Sequence, residues 1–137
     1  MRIGSIVRST VAATLFAGAS YVWGGVSPWG CDCSGFSQSI FRLHGISLPR
    51  DAAQQAVAFD ALDRETPIEL LAPGTLAFFT DRDDRQITHV GVMLGSARMA
   101  HSSLARAGFT IETFAGNGDE YVARLRTNYA GGLTVLR

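Results

Sequence analysis

Two hydrophobic periods divide the chain. Before about residue 60, apolar side chains recur every three or four positions, which is the spacing of one face of a helix. From Gly74 onward, short runs rich in β-branched and aromatic residues are separated by Gly, Asp and Ser, which is typical of strands joined by turns. The sequence therefore predicts an α+β domain in which helices at the amino end pack on an antiparallel sheet of five to six strands at the carboxyl end.

The start of the chain fits two interpretations. Apolar residues at every fourth position from Ile3 to Leu15 predict an amphipathic helix. The same stretch, with two arginines ahead of its apolar part, also resembles a weak signal peptide with a cleavage site near Ala19. We favour the helix, because cleavage there would end almost at Tyr21, where the strongest sequence motif begins.

Two more helices are predicted before Gly74. Asp32 is suited to cap a helix that ends near Gly45, because its side chain can accept hydrogen bonds from the first free backbone amides. This helix places Cys33 in its first turn. A short helix is also predicted over residues 51–58.

The predicted strands cover residues 75–79, 88–94, 98–102, 110–114, 121–125 and 133–136. Side chains alternate between the faces of a strand, so the turn after Leu94 decides whether His89 and His101 can meet. We predict a three-residue turn that pairs Leu94 with Arg98 and puts Gly91 opposite His101. His89 then lies diagonal to His101 on the same face, with open space at Gly91.

Composition narrows the classes of function. The 137 residues, 47% of them hydrophobic, predict one domain over residues 1–137 with no accessory domain. Twelve basic and twelve acidic residues give a net charge of zero, so nothing in the bulk charge favours nucleic acid or an anionic membrane. No run approaches the roughly 20 apolar residues of a membrane span. Cys31 and Cys33 are too close in sequence for an ordinary structural disulfide.

Cys33 is the strongest candidate for a reactive side chain. The free amides and the dipole at a helix N-terminus favour a thiolate, although many free cysteines are simply small buried residues. If His89 and His101 meet, one can act as base to the thiol while the other orients that base. His44, near a helix end, is expected to be a hydrogen-bonded structural residue.

Two metal sites are weaker alternatives. Cys31, Cys33, His89 and His101 have the number and type of ligands that tetrahedral zinc requires, but a one-residue spacer between the cysteines is unusual for zinc. The acidic run over residues 81–84 lacks the ligand spacing of a calcium loop and is expected to be a solvated hairpin tip. We therefore predict no metal and no cofactor.

A series of short motifs runs from Tyr21 to Ser103. They are Tyr21-Val-Trp-Gly-Gly, Ser27-Pro-Trp-Gly-Cys-Asp-Cys-Ser-Gly-Phe36, Leu48-Pro-Arg-Asp-Ala52 followed by Gln54-Gln55, Pro73-Gly-Thr-Leu-Ala-Phe-Phe79, Thr88-His-Val-Gly91 and Ala100-His-Ser-Ser103. In order and spacing this series resembles the NlpC-type papain-like cysteine peptidases, which act on bacterial cell-wall peptides. The resemblance implies a papain-like fold and a thiol peptidase.

The resemblance also implies a role for each site residue. Cys33 corresponds to the nucleophile, His89 to the general base and later acid, and His101 to the polar residue that orients the base. Tyr21 corresponds to a tyrosine whose hydroxyl would stabilise the oxyanion. Asp32 corresponds to the acidic residue that receives the free amino group of the substrate.

The segment around Arg50 resembles one branch of this family, which cuts the bond from γ-D-glutamate to a diamino acid in peptidoglycan stem peptides. There Arg50 and Asp51 would contribute near the subsite for the L-alanyl-γ-D-glutamyl end. The planar fork of Arg50 suits a substrate carboxylate, but Arg50 could instead pair with Asp51.

Departures from the branch leave other possibilities open. Its members commonly carry domains similar to Src-homology-3 domains ahead of the peptidase domain, and this chain has no room for one. The resemblance thus allows a more open groove or an accessory cell-wall-binding subunit. It favours the cell envelope or secretion, with cytoplasmic recycling as the alternative. An inactive peptide-binding module and a thiol-dependent acyltransferase are the competing functions.

Overall fold

The fold is a curved sheet with helices on both faces. The computed structural model describes residues 16–27, 29–59 and 61–135. Within these ranges the helices are α1 (Cys33–Leu43), α2 (Ala52–Gln55) and α3 (Glu120–Asn128), with a 3-10 helix at Ile68–Leu70. The strands are β1 (Ser20–Tyr21), β2 (Val26–Ser27), β3 (Gly30–Cys31), β4 (Thr75–Phe79), β5 (His89–Gly95), β6 (Arg98–Ser103), β7 (Gly108–Thr113) and β8 (Tyr129–Thr134).

The strands form one mixed sheet in the order β2-β3-β1-β7-β6-β5-β4-β8. Strands β1 and β3 run parallel, and all other pairs of neighbouring strands in the described ranges are antiparallel. The predicted α+β class is confirmed, but the predicted count of five to six strands is wrong, because the described residues alone contribute eight strands to the sheet. Strands β1 to β3 have two residues each, which is too short for an alternating pattern to show in the sequence.

Two hydrophobic clusters cover the two faces of the sheet. On one face, Phe36, Ile40 and Phe41 of α1 pack against the even-numbered residues of β5, such as Val90. On the other face, Val122 and Leu125 of α3 pack with odd-numbered residues of β4, β5 and β6. The odd-numbered His89 and His101 therefore belong to the face that α3 covers.

The strand predicted over residues 121–125 is wrong, because this segment belongs to α3. Asp119 caps the helix by accepting a 2.9 Å hydrogen bond from the Val122 amide. Val122 and Leu125, three positions apart, are buried on one helical face. A segment of only five residues is too short for the spacing of its apolar residues to distinguish a helix from a strand. The Asp119 cap is what identifies this segment as a helix.

The predicted ends of several elements also shift. Strand β8 covers 129–134 rather than 133–136, and two glycines in its middle weaken the strand signal. Helix α1 ends before Gly45 as predicted, and the ring of His44 bonds the Ile40 carbonyl at 2.9 Å. Helix α2 is shorter than the predicted 51–58. The first predicted helix lies outside the described residues. No helix in the described ranges is long and apolar enough to cross a membrane.

The hairpin between β5 and β6 differs from the prediction in two features whose effects on the register cancel. Its turn has two residues, Ser96 and Ala97, both with positive φ, and Arg98 pairs with Gly95 rather than Leu94. A register shift between Met93 and Gly95 adds one residue to β5. This bulge restores the alternation that a two-residue turn alone would have reversed.

The space predicted beside Gly91 is filled. A Cβ atom at Gly91 would collide with the Met99 side chain, which crosses this position from β6. Gly91 therefore makes room for a core methionine rather than for a substrate.

Candidate active site

Cys33 is the first residue of α1 and lies against the start of β5. The Asp32 carboxylate caps the helix by accepting a 2.7 Å hydrogen bond from the Gly35 amide. The backbone amide of Val90, the residue after His89, donates to the Cys33 sulfur. The cap and the Val90 amide hold the half-buried thiol at the point where α1 meets β5.

The loop after β1 packs tightly on the first turn of α1. The Asp32 amide donates to the Gly25 carbonyl at 3.1 Å, and a Cβ atom at Gly35 would collide with that same carbonyl. Glycine at position 35 is thus required by the close approach of the two backbones. The same packing brings Tyr21 near Cys33. Burial raises the pKa of Tyr21, and the electrostatic interaction with Cys33 raises it further.

His89 and His101 meet on the sheet face covered by α3. Their Nε2 and Nδ1 atoms are 2.7 Å apart, and their rings meet edge to face. His101 Nε2 lies 3.0 Å from a carboxylate oxygen of Glu112, which is itself bound by Arg106. The prediction that the two imidazoles share a face is confirmed, and the row of polar side chains continues beyond them.

The charge states of Cys33 and His89 follow from their surroundings. Burial raises the pKa of the Cys33 thiol to about 11, although backbone hydrogen bonds from Val90 and Ser34 favour the thiolate. Loss of solvent around the imidazole lowers the pKa of His89 to about 3. Burial therefore outweighs the helix N-terminus that was expected to favour a thiolate. At neutral pH the Cys33 thiol and the His89 imidazole are therefore both uncharged.

Arg50 forms an ion pair with Asp32. Its Nη1 and Nη2 atoms donate to the two oxygens of Asp32 at 3.1 and 2.9 Å. The alternative that Arg50 pairs with Asp51 is wrong, because the exposed Asp51 begins α2 instead. Burial raises the pKa of Asp32, but hydrogen bonds from Arg50 and Gly35 bring it below the ordinary value. The ion pair is therefore formed at neutral pH.

The NlpC/P60 family model matches residues 18–126, which include every predicted site residue. The chain belongs to the NlpC/P60 family. Two relatives are named gamma-D-glutamyl-L-lysine dipeptidyl-peptidase. The protein from Bacillus subtilis is 43% identical over 88 residues, and the one from Bacillus cereus is 36% identical over 123 residues. The matches cover 64% and 89% of this chain but 28% and 34% of the relatives, so the chain spans about a third of their length.

Solved structures of NlpC/P60 proteins have the same fold. A lipoprotein-like NLP/P60 protein from Staphylococcus aureus superposes with a TM-score of 0.77 at 27% identity, covering 100% of this chain and 43% of that one. The NlpC/p60 domain of the peptidoglycan hydrolase SagA superposes with a TM-score of 0.71 at 20% identity, covering 95% of this chain and 98% of that one. The papain-like fold predicted from the motifs is confirmed.

Some residues of this NlpC/P60 site were missed in the sequence. Glu112 looks like an ordinary polar position of a strand, and its register against His101 depends on a turn that the sequence does not determine. Tyr121 stacks on His101 at 6.2 Å between ring centroids, but the sequence pattern predicts a strand at this position. Gln55 is buried and bonds the carbonyls of Ser34 and Pro49, which ties the Arg50 segment to α1. Its place in the motif after Arg50 was visible in the sequence, but its burial was not.

The second cysteine belongs to the core of the NlpC/P60 domain. Cys31 is fully buried, and burial raises its pKa. Within the described ranges, no group of three or more His, Cys, Asp or Glu side chains could hold a metal ion. The zinc alternative built on both cysteines and both histidines is therefore wrong.

The raised pKa of Cys33 predicts how its reactivity depends on pH. With a pKa of about 11, on the order of 10⁻⁴ of the thiol is ionised at pH 7. We expect its alkylation by iodoacetamide to accelerate about tenfold per pH unit from pH 7 to 10. Tandem mass spectrometry measures this rate and separates Cys33 from Cys31. A rate that is already constant between pH 5 and 8 would instead show a preformed thiolate–imidazolium pair.

Proposed function

We propose that the chain is a cysteine peptidase that hydrolyses the bond from γ-D-glutamate to a diamino acid in peptidoglycan stem peptides. The observation that carries this proposal is the placement of Cys33, at a helix N-terminus, against the strand that begins with the paired His89. A thiol, a base and a group that orients the base are the parts that acyl transfer needs. The names of the two Bacillus relatives support the choice of bond.

The reaction follows the positions of these groups. As the Cys33 sulfur attacks the γ-glutamyl carbonyl, the thiol proton passes to His89 and the carbonyl oxygen gains negative charge. The Tyr21 hydroxyl and the backbone amides at the start of α1 would stabilise that oxyanion. The C–N bond then breaks, and His89 returns the proton to the leaving amine. Water, deprotonated by His89, hydrolyses the thioester and releases the γ-glutamyl product and the thiol.

The pair of Asp32 and Arg50 fits the two charges at the amino end of such a substrate. Each Asp32 oxygen already accepts one hydrogen bond from a backbone amide, of Gly24 or Gly35, and one from Arg50, and Oδ1 also accepts a 3.4 Å bond from the Ser34 hydroxyl. An added amine can therefore reach Asp32 well only by replacing Arg50. We propose that the substrate amino group does so, and that Arg50 then binds the free α-carboxylate of the γ-linked glutamate.

This exchange predicts a requirement for a free amino end. Acetylating the amino group of L-Ala-γ-D-Glu-diaminopimelate removes the charge that would replace Arg50. We expect KM to rise at least about tenfold, with kcat within about twofold. Steady-state kinetics on the two peptides measures the effect. The control is Asp32→Asn, because asparagine also caps a helix but has no charge, and it should cleave both peptides with similar KM. Equal KM values for the native chain would contradict the exchange.

Product analysis on defined peptides tests the proposed function. We expect the tripeptide L-Ala-γ-D-Glu-diaminopimelate and its tetrapeptide with D-alanine to release the same dipeptide, L-Ala-γ-D-Glu. Cleavage of the bond from L-alanine to D-glutamate, or of the bond from diaminopimelate to D-alanine, would overturn the assignment. Peptide binding without cleavage would indicate the inactive binding module. Transfer of the acyl group to an added amine in preference to water would indicate an acyltransferase.

A further inference from the structure

We propose that Glu112, held by Arg106, sets the tautomers of both site histidines and so directs a lone pair of His89 toward Cys33. Glu112 is then a positioning residue, because it acts through His101 rather than on the substrate. Its effect on turnover rests on the proposed function, but its effect on the tautomers does not.

The geometry places Glu112 at the end of a buried row of polar groups. Glu112 lies on β7, and His101 pairs with Thr110 of that strand, so Glu112 is diagonal to His101 on the same face. Its side chain is 6% exposed, and its Oε2 atom lies 3.0 Å from His101 Nε2. On the far side, Arg106 donates from Nε and Nη2 to the two carboxylate oxygens, each at 3.0 Å.

The charge of Glu112 fixes which partner carries each proton. Burial raises the pKa of Glu112, but hydrogen bonds from His101 and Arg106 lower it below the ordinary value, so the group is a carboxylate at neutral pH. A carboxylate only accepts hydrogen bonds. The hydrogen between Glu112 and His101 therefore lies on His101 Nε2.

The remaining protons follow along the row. His101 is neutral, since burial lowers its pKa, so protonation at Nε2 leaves a lone pair on Nδ1. His89 Nε2 lies 2.7 Å from His101 Nδ1. Because Nδ1 can only accept, the hydrogen between the two rings must lie on His89 Nε2. Neutral His89 then has its lone pair on Nδ1, the ring nitrogen left to take the thiol proton. When His89 takes that proton, the negative charge of Glu112 also stabilises the imidazolium.

Glu112 could instead serve as a structural link between β7 and α3. Arg106 bonds Glu112 on one side and Asp119 on the other, at 2.8 Å, and Asp119 caps α3. Asp119→Asn separates the two roles. Asparagine keeps the cap and removes the charge that holds Arg106 to α3, while the contact between Glu112 and His101 stays. Glu112→Leu removes the hydrogen-bond acceptor of His101, and Glu112→Gln keeps its shape but removes its charge.

The test is long-range ¹H–¹⁵N NMR of protein labelled with ¹⁵N-histidine, assigned with the His44→Gln and His101→Ala variants. In the native protein we expect hydrogen on Nε2 of both His89 and His101. In Glu112→Leu we expect His101 to become a mixture of tautomers. Its kcat should fall about tenfold or more, with KM within about twofold. Asp119→Asn should keep the native tautomers and at least half of kcat.

Two results would overturn the proposal. One is a folded Glu112→Leu protein whose histidines keep the native tautomers. The other result comes from Glu112→Gln and applies even if Glu112→Leu does not fold. Glu112→Gln should lower kcat by at least about threefold. A loss no greater than that of Asp119→Asn would show that Glu112 is only a structural link. If the native chain has no peptidase activity but Glu112→Leu changes the tautomers, the proposed function fails and the positioning role stands.

Discussion

Cys33→Ala is expected to abolish turnover of L-Ala-γ-D-Glu-diaminopimelate, with a loss of at least about 10⁴-fold. The sulfur is the atom that forms the thioester, and alanine leaves no nucleophile at the N-terminus of α1. The side chain is half-buried and small, so the fold and the Asp32 cap should remain. Chromatography of the released dipeptide measures the rate, and calorimetry measures peptide binding, which should be retained.

The neighbouring cysteine provides the matched control. Cys31 is fully buried on β3 and is part of the core that packs against α1. Cys31→Ala should lower the free energy of unfolding by about 1 kcal/mol or more, because it leaves a small cavity, while kcat stays within about twofold. A Cys31→Ala protein that is folded but inactive, or a Cys33→Ala protein with native turnover, would contradict the assignment of the nucleophile.

His89→Ala is expected to lower kcat by about 10³- to 10⁴-fold, because the thiol then has no base and the leaving amine no acid. His101→Ala should cost less, about 10- to 100-fold, because His101 orients His89 and does not itself transfer the proton. Steady-state kinetics of both variants on the same peptide gives the comparison, with circular dichroism to confirm folding.

The difference between the two histidine variants is the informative quantity. His101 is fully buried against Glu112 and Tyr121, whereas His89 is only partly buried, so general damage to packing would lower the activity of His101→Ala more and could not produce the expected order. Equal and complete losses would mean that both histidines act directly on the reacting atoms. A larger loss in a His101→Ala protein that keeps the native circular dichroism spectrum and stability would reverse the assigned roles.

The meeting of the two histidines could be predicted from the sequence, although the turn between their strands differs from the predicted one. Because side chains alternate along a strand, the two histidines lie either on the same face or on opposite faces of the sheet. Whether the turn between the strands has an odd or an even number of residues decides between these two arrangements. The turn is one residue shorter than predicted, and the bulge between Met93 and Gly95 restores the parity. A bulge depends on how β5 packs against its neighbours, and local sequence carries little of that information.

Helix α1 and its cysteine are the part of the site that local rules predict well. Asp32 has a side chain that caps helices, and the apolar residues after it recur at helical spacing, so Cys33 falls in the first turn as expected. The charge of Cys33 could not be predicted in this way. It depends on burial against β5, and helix and strand come together only in the fold.

Long-range partners explain the rest of what the sequence missed. Arg50 is 18 residues from Asp32, and the sequence alone left open whether Arg50 binds a substrate carboxylate or pairs with the adjacent Asp51. Glu112 reaches His101 across two strands whose register depends on the loop between them. In both cases the residue type was visible, and the fold determined its partner.

The central claim is that Cys33 forms a thioester with the γ-glutamyl carbonyl. Rapid acid quenching followed by mass spectrometry tests it, with L-Ala-γ-D-Glu carried on an activated anilide so that hydrolysis of the thioester becomes the slow step. We predict a burst of released aniline and an added mass equal to the L-Ala-γ-D-Glu acyl group on Cys33. A burst with the acyl group on another residue, or an acyl group from another part of the peptide, would contradict the account.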